Sequence, residues 1–179
     1  MWTSGNATAR AVRGRGYHDR VDDERVVSWQ LGRPARSFRR VAVRCPHGFP
    51  AVTEQAPFDA DGKPFPTTYY LTCPWLVAAI ARLEAAGGVE RWSSEAASDP
   101  ALRASLERAD REQRELRPEL DVGIGGTRAP GKLKCLHAHA AFALARPGYE
   151  LGEAIVSEAG EPWCPDARCG AAENGNGAS

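Results

Sequence analysis

Several common signatures are missing from this chain, and each absence narrows what it can be. Over 179 residues, 23 basic side chains balance 23 acidic ones, so there is no excess of either sign. A dedicated nucleic-acid binder carries a basic surplus, and that class is set aside. No stretch approaches the ~20 consecutive apolar residues of a membrane-spanning helix. Met1-Trp-Thr-Ser-Gly-Asn6 lacks the charged start and apolar run of a secretory signal. The expected location is therefore the cytoplasm. Cysteines number five, an odd count, which in a reducing compartment argues against a disulfide framework. There is no internal repeat and no Ser-His-Asp pattern. The glycine-rich Gly123-Ile-Gly-Gly126, with Arg128, Lys132 and Lys134 nearby, has the makings of a phosphate cradle. It lacks the G-K-[ST] ending of a P-loop and reads better as a hinge.

What is present divides into an arm, one domain and a tail. Residues 1–18 hold three glycines and few large apolar groups and read as a flexible arm. Through residue 44 there are 10 Arg against 4 acidic residues, a surface suited to an acidic protein partner. Residues 19–169 read as a single α+β domain, and 170–179 as a disordered tail.

Within the domain, residues 20–31 suit a short helix ended by Gly32 and Pro34. Phe38–Cys45, Ala51–Ala56 and Thr67–Thr72 suit three strands separated by turns at Pro46–Pro50 and Asp59–Gly62. Pro74 opens a helix with Leu76, Ile80 and Leu83 on one stripe, closed by Gly87-Gly88. Residues 91–98 read as a loop. Asp99-Pro100 opens a second long helix with many i,i+4 charge pairs, expected to lie exposed across the domain. Residues 133–146 form an alanine-rich helix, and 150–158 a last short one. The expectation is a small three-stranded antiparallel or mixed sheet packed with three to four helices.

The chemistry concentrates in Cys and His. Cys45 and Cys73 end strands one and three, which run the same way in a meander and so reach the same sheet edge. Cys135 and His139 are four apart at the third helix and would share a face. Cys45, Cys73, Cys135 and His139 are the preferred ligands of a metal ion, with His137 as substitute. Zinc is the expected ion and an iron–sulfur cluster the alternative, since thiolates suit both. Cys164-Pro-Asp-Ala-Arg-Cys169 is a looser knuckle than the usual zinc turn. Cys45, Cys73 and Cys164 each precede proline, a context also found at iron–sulfur ligands. Free cysteine serves equally as a small buried hydrophobe, and one such residue alone would carry no message.

The strings Cys45-Pro46, Pro64-Phe-Pro-Thr-Thr-Tyr-Tyr-Leu-Thr-Cys-Pro74 and Lys134-Cys-Leu-His-Ala-His139 resemble an uncharacterised bacterial, mainly actinobacterial, family known as domain of unknown function 501. The resemblance runs over roughly residues 20–170 by inspection. It implies that these cysteines and histidines belong to one pattern and assigns them no activity.

Three functions follow. The first is a cytoplasmic metal-binding protein whose ion has a structural or regulatory role. The second is an enzyme that uses Cys73 as a reactive thiol at a helix start, with His137 or His139 as base, or an open metal site. The third is an interaction module with no site at all.

Overall fold

A computed structural model describes residues 17–129 and 131–172; of residues 17–22 it describes the backbone alone. The arm read at 1–18 lies outside these residues except for its last two, which begin the first helix. The tail beyond residue 172 also lies outside them.

The order is α1 (Tyr17–Leu31), β1 (Phe38–Arg44), β2 (Pro50–Gln55), β3 (Tyr69–Leu71), α2 (Pro74–Ala85), α3 (Gly88–Ser98), α4 (Pro100–Leu116), α5 (Leu136–Ala145) and α6 (Glu150–Glu158). Short 3-10 turns cover Ile124–Gly126 and Arg168–Ala172. This is the expected α+β class. The sheet is antiparallel throughout, in the order β1-β2-β3.

Among the described residues there are six helices where three or four were expected, and α3 accounts for part of the difference. Val89, Trp92 and Ala96 recur at i, i+3 and i+7, a helical stripe hidden between two serines and three charges. Trp92 and Ala96 are buried, and the Trp92 Nε1–H donates to Glu158 at 2.7 Å. The Gly87-Gly88 pair both ends α2 and starts α3. Gly87 takes a left-handed φ of 79°, and a Cβ on Gly88 would sit 2.6 Å from the Leu83 carbonyl oxygen.

Helix α5 crosses the sheet and touches all three strands, and α6 folds back onto α5 and α4. Phe142, Leu136, Leu151 and Ile155 are fully buried between them. Burial of such side chains stabilises the fold by roughly 1.5–3 kcal/mol each. Helix α4 is less exposed than its charge pattern suggests. Leu106, Ala109, Asp110 and Gln113 are buried, and its arginines and acids bond to other elements. Arg108 reaches Glu150 at 2.6 Å, Glu112 pairs with Arg146, and Arg114 reaches Asp121 at 3.0 Å. The hinge at 123–126 is held by the Asp110 carboxylate, which accepts the Ile124 N–H at 2.9 Å. An acid therefore occupies the place a phosphate cradle would need.

Strand β2 is buried along its whole length, including Thr53, Glu54 and Gln55. Glu54 is neutralised by Arg39 at 3.0 Å and Arg40 at 2.7 Å. At the strand's end Arg117, itself 2% exposed, donates to the carbonyls of Gln55 (2.6 Å), Thr67 (3.3 Å), Ala56 (3.4 Å) and Phe65. That one guanidinium closes the long β2–β3 connection. Arg117→Leu strands several carbonyls and is expected to cost about 2–4 kcal/mol. The fall in Tm should be roughly 5–15 °C for a chain of this size. Arg117→Lys should recover little of it, because an ammonium cannot fork between carbonyls. Thermal and urea denaturation of the two variants check this.

Candidate metal centre at the start of helix α5

Cys135 is the N-cap of α5, with extended backbone angles (φ −155°, ψ 119°), so it stands outside the helix proper. The four-residue spacing to His139 therefore does not place the two side chains together. His139 is completely buried, and its Nδ1 lies 2.7 Å from the Tyr149 hydroxyl. Its Nε2 has no partner among the described residues. It is a core residue, turned toward α6 rather than toward Cys135.

His137, read from the sequence as the substitute ligand, lies beside Cys135. Its Nδ1 lies 3.8 Å from the Cys135 sulfur and 3.3 Å from Glu84 Oε1. The Glu84 carboxylate comes from the last turn of α2 and also accepts the Leu136 N–H at 2.6 Å, capping α5. On the other side of the ring, Nε2 lies 3.1 Å from the Val77 carbonyl. A carbonyl can only accept, so Nε2 carries the proton and Nδ1 turns toward the sulfur and the carboxylate. The ligand atoms of Glu84, Cys135 and His137 all fall within 4.8 Å of one another, and all three residues are half-buried. Three donors at this separation match ligands around one ion with bonds of ~2.0–2.3 Å. The Cys135 side chain, with help from Glu84 and against the effect of burial, lifts the His137 pKa to about 9.

Cys135 and His137 line a cavity of about 530 Å³ whose other walls include Tyr69, Tyr70, Val77 and Arg33. The site thus opens onto a space of small-molecule size.

Cys45 and Cys73 do reach the same sheet edge, but β2 lies between their strands. Neither joins Cys135. Cys73 is buried, and burial pushes its thiol up, with Cys164 and Cys45 adding to the rise. The amides of Leu76 and Trp75 pull the other way without reversing it. A helix-start thiol was expected to be depressed and reactive; desolvation wins here. Glu84 carries no signal in the sequence. It is the one acid of α2, 51 positions before Cys135, and only the packing of α2 against α5 brings it in.

The arrangement is that of a small α+β protein with a carboxylate, a thiol and an imidazole gathered together, the thiol and the imidazole on the wall of a cavity. Residues 41–121 match the model of the family described as protein of unknown function (DUF501). The match runs from β1 through α4 and is narrower than the stretch from 20 to 170 over which the motifs resemble it. It includes Cys45, Cys73 and Glu84 and stops before Cys135. Searches of the curated proteins and of the solved structures find no match. No described helix is long and apolar enough to cross a membrane.

Burial lowers the His139 pKa to about 3, from about 6.5 in the unfolded chain. Between those values the unfolded state holds a proton that the folded state does not. Stability contributed by neutral His139 is therefore present above pH 6.5 and lost as the pH falls. Between pH 6.5 and 5 the loss should be about 2 kcal/mol. In His139→Gln, the slope of stability against pH over this window should be shallower by about one proton. An unchanged slope, measured by urea titration at several pH values, would count against this account.

Proposed function

We propose that this chain is a zinc-binding protein whose ion is held by Glu84, Cys135 and His137, with its fourth position open to the cavity. The observation that carries this reading is the orientation of His137. Histidine ligands of metals usually donate their other ring N–H to a carbonyl or carboxylate, which leaves the second nitrogen to bind the ion as it gives up its proton. The Val77 carbonyl stands in that position, and Nδ1 points where the sulfur and carboxylate converge. Thiolate, imidazole and carboxylate are all ordinary zinc donors.

Three protein ligands beside a cavity correspond to a zinc site that keeps a place for water or a small ligand. Closed structural sites use four protein ligands. The reading therefore favours binding or activation of a small molecule over a purely structural ion, and it moves the centre from the sheet edge to α5. Free thiols throughout the described chain suit the reducing cytoplasm.

Zinc titration of the full chain, followed by calorimetry, tests this. His137→Ala and Cys135→Ser should each weaken binding at this site at least 100-fold, and Glu84→Gln by roughly 10–100-fold. His139→Gln should leave it unchanged. Binding that survives the Cys135→Ser/His137→Ala double substitution, in a protein shown by circular dichroism to be folded, would refute the assignment.

A further inference from the structure

The remaining four cysteines form a second group at the sheet edge, and none of them is a ligand in the zinc reading. Cys45 leaves β1 in a tight turn. Its N–H donates to the Phe49 carbonyl at 3.0 Å, and its carbonyl accepts the Gly48 N–H at 2.9 Å. Cys73 leaves β3 with its N–H on the Ala51 carbonyl at 3.2 Å. The C-terminal segment is laid against both departures. The His47 Nε2 lies 2.8 Å from the Cys164 carbonyl, two residues after Cys45. The Trp75 Nε1–H donates to the Glu161 carbonyl at 2.8 Å, two residues after Cys73. Arg168, next to Cys169, stacks over the Trp75 ring at 4.8 Å. From α1, Gln30 Nε2 donates to the Pro50 carbonyl at 2.8 Å and lies 3.3 Å from the Cys169 sulfur.

Three chain segments thus bring four thiols to one end of the sheet, and Cys73, Cys164 and Cys169 are buried there. The thiols sense one another. Burial raises the Cys169 pKa, Gln30 opposes it, and Cys73, Cys164 and Cys45 all add to it. Buried thiols of like kind gain nothing from one another as hydrophobes, since aliphatic side chains would pack as well. Between Cys164 and Cys169 the chain also holds Ala167 at a left-handed φ of 47°, a costly conformation for a residue with a Cβ.

The spacing separates two ways of filling such a site. Around a single zinc with ~2.3 Å bonds, four sulfurs stand ~4 Å apart. Among the described residues, the three-donor group that closes within 4.8 Å is Glu84, Cys135 and His137, and the four cysteines are not so tight. A cubane cluster takes its thiolates farther apart, because each one binds a different iron. Proline after Cys45, Cys73 and Cys164 fits the same use. We propose that Cys45, Cys73, Cys164 and Cys169 ligate a four-iron, four-sulfide cluster that fastens the C-terminal segment to the edge of the sheet.

The experiment is anaerobic reconstitution of the full chain with sulfide and equal amounts of ferrous and ferric iron, which supply the two ferrous and two ferric ions of the oxidised cluster. The expected result is about four irons and four sulfides per chain. A broad visible absorption that bleaches with dithionite should accompany them. Serine at position 45, 73, 164 or 169 should abolish or strongly reduce the absorption, whereas Cys135→Ser and His137→Ala should retain it. Those two controls separate failure here from failure of the zinc assignment at α5. Because a serine variant can simply misfold, the wild-type chain supplies a second readout. With the cluster in place a maleimide should label Cys135 and spare the other four cysteines; after removal by a strong chelator under denaturing conditions all five should label. A colourless protein holding zinc through these four cysteines would overturn the cluster. So would a protein that binds no iron and shows the same labelling before and after reconstitution.

Discussion

A strand with no exposed residue sets the terms for the rest of the molecule. Strand β2 has a partner on each side and packed elements around it, yet half of its residues are polar. Each polar group therefore needs a partner delivered from elsewhere, because an unpaired one would cost about 1–3 kcal/mol. Arg39 and Arg40 reach back from β1 to Glu54, and Thr53 accepts from the Gln55 side chain at 2.6 Å. Arg117 arrives from beyond α4 to hold the carbonyls at the strand's end. These partners couple the sheet to the far end of α4. They also hold β1 and β3 on opposite sides of β2, so the cysteines that follow them leave the same edge with a strand between them.

Helix α5 is placed by the same logic one layer out. Its apolar residues face all three strands and α6, and its first turn ends against α2. Glu84 caps that turn by accepting the Leu136 N–H, which sets its carboxylate beside His137. A capping interaction has thereby become part of a ligand group. Within the helix, alternate residues go different ways: His137 toward the cavity, His139 into the core against Tyr149. Two imidazoles two positions apart end with opposite properties. One is held near a thiol and a carboxylate with its pKa raised to about 9; the other is stripped of solvent with its pKa lowered to about 3.

The proposed zinc and cluster sites divide the five cysteines four to one, and chemistry follows location. Cys135 is half-buried beside a cavity, where an ion can meet water and ligands. Cys73, Cys164 and Cys169 are sealed under the C-terminal segment. That segment buries Cys164, Cys169 and Ala172 and packs the half-buried Trp163 against the core. Its other fastenings are the polar contacts to His47, Gln30 and Trp75. A shared cluster would replace weak, separable contacts by one centre joining three segments.

Much of the architecture was legible locally. Strand residues alternate or branch at Cβ, Pro74 and Pro100 mark helix starts, and Gly87 and Gly148 mark ends, so the α+β class and most elements follow from short-range pattern. Helix α3 escaped because its stripe of Val89, Trp92 and Ala96 is thin, and amphipathic pattern weakens as the apolar face narrows. The positions of the cysteines at element ends were also visible, and so was the importance of the Cys135–His139 stretch. The grouping was decided by tertiary structure alone. Whether Cys135 lies inside the helix or one residue before it changes which histidine it meets, and a cap is set by backbone angles that spacing does not reveal. Glu84 enters from 51 positions away, and Cys164 and Cys169 return to Cys45 from about 120. Ligand groups need atoms within a few ångströms in space, and nothing in the order of residues along the chain measures that distance.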